Sequence, residues 1–243
     1  MRYLFAAALL VAAPLAHAAS LTSDERSLSL TAGVGDFFPD TEFFLQTTPV
    51  GGFTTETRSA FVQVSDSSAS AAGNFVANLG PVVNDGFTFS STGLLLSTAT
   101  GGEYSSSASG MASWEFSFTL DQTSAFSLNG TSFLSSPVDF DEGVFEWSLT
   151  SLGVTKDSFT GSATGALQVF NSSLQLDAGS YTFSLFGRAD ASRGLGSVSQ
   201  NTFFNLSGSV APAPVPLPAA GWLLLSGLGG IVAFARRRRV ATA

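Results

Sequence analysis

The chain has 243 residues, no cysteine and one histidine, His17, and its formal net charge is −8 at pH 7. Without thiols there is no disulfide, thiolate metal site or cysteine nucleophile, and beyond residue 17 no imidazole is available for a Ser-His-Asp triad or a histidine-ligated zinc. All eighteen acidic residues lie in the body, residues 19–210, opposed there only by Arg26, Arg58, Lys156, Arg188 and Arg193, a net of −13 that disfavours nucleic acid and anionic lipid as partners.

Residues 1–18 read as a signal peptide. Met1-Arg2 is a short positive start, Tyr3 to Leu15 is apolar, and Ala16-His17-Ala18 has the small-x-small form of a cleavage site, so the mature chain is expected to begin at Ala19. A permanent N-terminal membrane helix fits less well, because the apolar run is short and ends in that cleavage pattern.

The body, residues 19–210, is rich in Ser, Thr, Gly and Phe and alternates apolar with polar positions, the period of a half-buried strand. Early candidates are Leu28–Leu30, Phe61–Val64, Asn74–Leu79, Phe87–Phe89 and Leu94–Leu96. Trp114-Glu-Phe-Ser-Phe-Thr-Leu120 alternates over seven residues, then turns at Asp121-Gln-Thr-Ser124 into Ala125–Leu128. Asn129-Gly130 carries the residue pair of a tight hairpin turn. Val144–Leu149, Leu174–Leu176, Tyr181–Leu185 and Phe203–Val210 complete the set. A short helix in the Ser/Ala-rich stretches 65–73 or 104–112 is a further reading. Many strands with almost no helical period predict an all-β fold, an antiparallel sandwich of jelly-roll type.

Residues 211–218 form a proline-rich, extended linker. From Ala219 to Ala235 seventeen residues carry no charge. As a helix they span about 25 Å, the short end of the transmembrane range. Trp222 suits one interface, Leu223, Leu224 and Leu225 the hydrocarbon, and Gly227 and Gly230 close helix contacts. Arg236, Arg237, Arg238 and Arg239 snorkel at the other end and hold the tail in the cytoplasm, so 219–239 is expected to be one C-terminal transmembrane helix with a basic tail. The competing reading is a buried helix of a soluble domain.

The run Val215-Pro216-Leu217-Pro218-Ala219, followed by Gly221-Trp-Leu-Leu-Leu-Ser-Gly-Leu-Gly-Gly230 and Arg236–Arg239, resembles the PEP-CTERM sorting signal in its VPLPA variant, Pro216-Leu217-Pro218 standing where the family's usual Pro-Glu-Pro would be. The resemblance covers about the last 25 residues. It implies recognition by an exosortase, a membrane cysteine protease or transpeptidase of Gram-negative bacteria, that cuts near the proline motif and passes the body to the envelope or the medium. Members of the family tend to accompany exopolysaccharide production. Leu176–Gly187 is similar to the terminal hairpin of such ectodomains. Residues 113–133 look partly like an FxDxF subgroup, but Trp114-Glu-Phe-Ser-Phe118 lacks its aspartate.

Candidate chemistry in the body is sparse, and no cofactor motif occurs. Asp139, Asp141, Glu142 and Glu146 are the densest acidic cluster and could hold Ca²⁺, although they do not continue into an EF-hand series. The bland alternative is a solvated acidic loop. Glu115 and Glu146, each beside a tryptophan, are the only pair suggesting carboxylate-dependent glycoside cleavage, yet alternation turns both to solvent once their tryptophans face inward. Trp114, Trp147, Tyr104 and Tyr181 are candidates for stacking on sugar rings, against the commoner role of strand aromatics as core. Asn129-Gly-Thr131, Asn171-Ser-Ser173 and Asn205-Leu-Ser207 match the N-glycosylation pattern, which arises readily by chance in such a composition.

Overall fold

The computed structural model describes residues 19–35, 40–47, 52–135 and 143–213, with only the backbone of 40–47. The chain divides into two compact units, Met1–Pro212 and Ala213–Ala243. The signal-peptide residues with Ala16 and Ala18, the segment 215–239 with its sorting motif, apolar run and arginines, and Asp139, Asp141 and Glu142 all lie outside the described residues. No helix among the described residues is long and apolar enough to cross a membrane.

The body is all-β. Among the described residues twelve strands run in chain order: β1 Ser20–Val34, β2 Asp40–Thr47, β3 Gly52–Val64, β4 Ser67–Leu79, β5 Phe87–Gly101, β6 Ser106–Leu120, β7 Ser124–Leu134, β8 Gly143–Ser151, β9 Val154–Thr160, β10 Leu167–Leu176, β11 Gly179–Arg193 and β12 Gly196–Pro212. They form two antiparallel six-stranded sheets, ordered β2-β1-β6-β11-β8-β9 and β10-β7-β12-β5-β4-β3, packed as a β-sandwich.

Alternation decides which residues fill the space between the sheets. Along β6, Ala112, Trp114, Phe116, Phe118 and Leu120 are buried while Glu115 is exposed. Phe89 of β5 reaches across to Phe116 at 5.1 Å and Phe183 at 5.0 Å between ring centroids. Phe145 stacks on Phe204 at 5.0 Å, and Phe159 meets Phe170 at 4.8 Å, sealing the side of the sandwich where β9 and β10 lie. Each fully buried Phe or Leu contributes about 1.5–3 kcal/mol relative to exposure. Glycines inside the strands make room for these rings. A Cβ on Gly93 would come within 2.1 Å of the Phe204 ring, and one on Gly130 within 2.5 Å of Phe170.

Several sequence expectations are corrected. Residues 65–73 and 104–112 are not helical: only 65–66 and 104–105 lie outside strands, and 67–73 and 106–112 belong to β4 and β6, where Ala and Ser residues alternate in and out. Phe87–Phe89 and Leu94–Leu96 belong to one strand, β5. Asn129-Gly130 is no turn. It runs straight through β7, where Gly130 is required by the close approach of the Asn205 carbonyl and the Phe170 ring rather than by a positive φ. Positive-φ turns sit instead at Asn84-Asp85 (φ 50° and 63°) and Leu152-Gly153 (φ 50° and 74°), the geometry that matches the twist of paired strands. The connections at 121–123 and 177–178 do not close hairpins. β6 and β7, and likewise β10 and β11, lie in different sheets, so both connections are arches across the core.

β1 holds a polar network that alternation also explains. Asp24 and Arg26 share the inward parity of Leu28, Leu30, Ala32 and Val34, and both are buried. Arg26 Nε donates to Asp24 Oδ1 at 2.9 Å and Nη2 to Asp24 Oδ2 at 2.5 Å. Nη1 donates to Thr54 Oγ1 at 2.5 Å and to the Ala77 carbonyl at 3.1 Å, tying β1 to β3 and β4 of the opposite sheet. Trp114 Nε1 donates to Asp24 Oδ1 at 2.9 Å, and the guanidinium lies 5.6 Å from the Trp114 ring centroid. Two buried charges are tolerated only with partners of this quality.

Candidate functional site: an acidic, hydroxyl-lined cleft on an outer sheet face

The outward positions of the first sheet form two adjacent cross-strand rows. One runs Glu25–Glu115–Ser184–Ser148–Ser158 over β1, β6, β11, β8 and β9. The next runs Ser27–Ser113–Phe186–Glu146–Thr160 over the same strands. A cleft of about 510 Å³ lies over them, lined among others by Glu25, Glu115, Glu146, Ser148, Ser184 and Phe186. Within it the Ser184 hydroxyl donates to Glu115 Oε2 at 3.0 Å. Just beside it, Ser27 and Ser113 hydroxyls meet at 2.7 Å.

The site is acidic and rich in hydroxyls, and no basic side chain lines it. Glu25 and Glu115 stand directly opposite each other, a like-charge pairing that costs stability in a sheet. Phe186, half-buried, provides an apolar ring between β6 and β8. Such a surface can hydrogen-bond a polyhydroxylated ligand and repels polyanions. Among the described residues no group of three or more His, Cys, Asp or Glu is placed to hold a metal ion.

The structure brings Glu115 and Glu146 onto one face, both exposed, with Trp114 and Trp147 on the other. Strand β11 separates them. Strand spacing and the one-rung offset put their Cα atoms roughly 12 Å apart, with Phe186 beside Glu146. Glu146 is part of this face, whereas its companions in the calcium reading, Asp139, Asp141 and Glu142, are outside the described residues.

Of the four aromatics weighed as sugar-stacking candidates, three take the commoner role and serve the core. Trp114, Trp147 and Tyr181 are 0%, 3% and 5% exposed. Tyr181 stacks on Phe118 at 5.5 Å and donates its hydroxyl to the Asp177 carbonyl at 2.9 Å; burial, then the Asp177 carboxylate, raises its phenol above the ordinary value. Tyr104 alone is exposed, at the β5–β6 connection. Phe186 went unnoticed in the sequence although a signal existed: it occupies a polar position of the run Tyr181-Thr-Phe183-Ser-Leu185-Phe186. The three glycosylation-pattern asparagines all lie on the outer face of the second sheet. Asn129 pairs with Asn171 and Ser207, and Asn205 with Thr131.

No family model matches the chain, and neither does any curated protein. Among solved structures it is similar to a chain in the structure of infectious bursal disease virus Gt strain, at 11% identity and a TM-score of 0.21, over 91% of this chain and 73% of that one. A likeness this slight carries no argument.

Proposed function

We propose that this chain is an exported cell-surface or extracellular-matrix protein, structural or adhesive rather than enzymatic, sorted through a PEP-CTERM-like C-terminal signal and associated with exopolysaccharide. The observation that carries the reading is the ordered run of proline motif, uncharged segment and four arginines from Val215 to Arg239. An exosortase-type enzyme is its processing partner, and the membrane holds it until cleavage. The ectodomain is a jelly-roll-like sandwich. Its interior is filled by aromatic rings, which suits a scaffold. Its first and last strands reach the same end, Ser20 beside Thr119 and Pro212 beside Ser124, which suits a body tethered at one pole.

The test is the intact mass of the protein recovered from its native envelope. The reading expects a chain that starts at Ala19 and ends near Ala219, and altered retention and processing after Arg236–Arg239→Ala. A full-length product free in the cytosol would overturn it. The outer cleft favours a second reading, a carbohydrate-binding module for uncharged glycans, because Phe186 lies among carboxylates and hydroxyls there. A glycan array on the processed protein separates the two, silence leaving the structural role. A carboxylate-dependent glycosidase would lose activity in the double variant Glu115→Gln, Glu146→Gln.

A further inference from the structure

Among the described residues the two sheets end in four edge strands, β2, β9, β10 and β3, and they are not alike. Exposed edges invite strand addition, and proteins blunt them with charge, proline or bulges. β2 carries Asp40 and Glu42. β3 carries Glu56 and Arg58, paired at 3.4 Å. β9 carries Lys156 and Asp157, and its register with β8 shifts between Leu149 and Thr150. β10, Leu-Gln-Val-Phe-Asn-Ser-Ser-Leu-Gln-Leu, contains no charge and no proline, and it pairs with β7 without a shift from Leu167↔Phe133 to Leu176↔Ser124. Its outward side chains include Leu167 at 61% and Val169 at 72% exposure. Leu167 continues inward across the sheet as an apolar row through Phe133 and Phe203 to Leu94.

We propose that β10 is an interaction edge at which two copies of this chain pair antiparallel, joining their second sheets into one. A second copy is the occupant that the charges favour. The body is strongly acidic, so most approaches between copies are repulsive, and the uncharged edge is where that repulsion is least. A strand pairing antiparallel with itself also satisfies a two-fold axis, the symmetry of most homodimers. Directly opposed residues must face the same side, so the axis passes through a residue rather than between two. Placed at Asn171, near the middle of the strand, it sets Val169 against Ser173 and Leu167 against Gln175 of the other copy, and the inward Phe170 against Ser172. Each pair keeps outward residues out and inward residues in.

The chain's lack of cysteine makes a clean test. Full-length protein carrying Asn171→Cys, in a density-matched detergent, should form a disulfide-linked dimer under mild oxidation, since opposed Cα atoms in an antiparallel pair lie within disulfide reach. A Ser90→Cys control, on the outer face of the central strand β5, should not. In sedimentation equilibrium the unmodified chain should dimerise, and Val169→Lys with Ser173→Lys, which sets lysines opposite each other on exposed positions, should weaken the dimer at least roughly tenfold while leaving the circular dichroism spectrum unchanged. A chain that stays monomeric at its highest soluble concentration, or cross-linking at Asn171→Cys no faster than at the control, overturns the proposal. A dimer indifferent to the two lysines overturns it as well. Each readout is an oligomeric state, so the outcome is independent of whether the sorting reading holds.

Discussion

Three consecutive charged residues of β1 meet opposite fates. Asp24 and Arg26 face the interior, where they bind each other, Asp24 accepts from the Trp114 indole and Arg26 donates to the second sheet, while Glu25 between them faces solvent opposite Glu115. Inside, removing one partner strands a charge in a medium that cannot solvate it. Outside, water screens the repulsion, and the carboxylates remain available to a ligand. The same chemical groups are therefore structural on one face and a candidate binding surface on the other, and the pleat alone separates the roles.

The sharpest way to break this contrast is Arg26→Ala, which leaves Asp24 buried without its cation. Chemical denaturation should show a loss of about 3–5 kcal/mol. Replacing both, Asp24→Leu with Arg26→Met, should recover part of that loss, though Trp114 Nε1 then lacks its acceptor. Next comes Gly93→Ala, which drives a methyl into the Phe204 ring and should cost about 1–3 kcal/mol by the same measurement. Leu152→Asn acts on the outside. Leu152 is 95% exposed and held at φ 50°, a conformation Asn accepts more readily, so stability should rise by roughly 1 kcal/mol or less. The smallest change is Glu25→Gln. Relief of the like-charge pair with Glu115 should stabilise by about 0.2–1 kcal/mol, and the gain should shrink as salt is added. A Glu25→Gln cost as large as that of Arg26→Ala would mean that the outer face is not the solvated surface described.

Much of the fold was legible because side-chain direction in a strand is local. Trp114-Glu-Phe-Ser-Phe118 announces which residues face inward without knowledge of any neighbour, and it correctly turned Glu115 and Glu146 outward. The same rule, extended to Asp24 and Arg26 in phase with Leu28 and Leu30, would have exposed the buried pair. Asn129-Gly130 misled because turn chemistry competes with demands that only packing creates, here the space taken by the Asn205 carbonyl and the Phe170 ring. Trp114 and Trp147 took the core role weighed against sugar stacking for a related reason: an inward aromatic is claimed by the core before it can meet a ligand.

By itself, the sequence determined the all-β character, the inward and outward sets, and the chemistry excluded by having no cysteine and no histidine beyond His17. Those follow from residue type and a two-residue period, which need no partner. Only the tertiary structure decided which strands pair, that the links after β6 and β10 cross between sheets, that Glu25, Glu115 and Glu146 share one face, and that the uncharged β10 lies at an edge. These depend on contacts between residues far apart in the chain, and a local pattern holds no record of which distant strand will accept its hydrogen bonds.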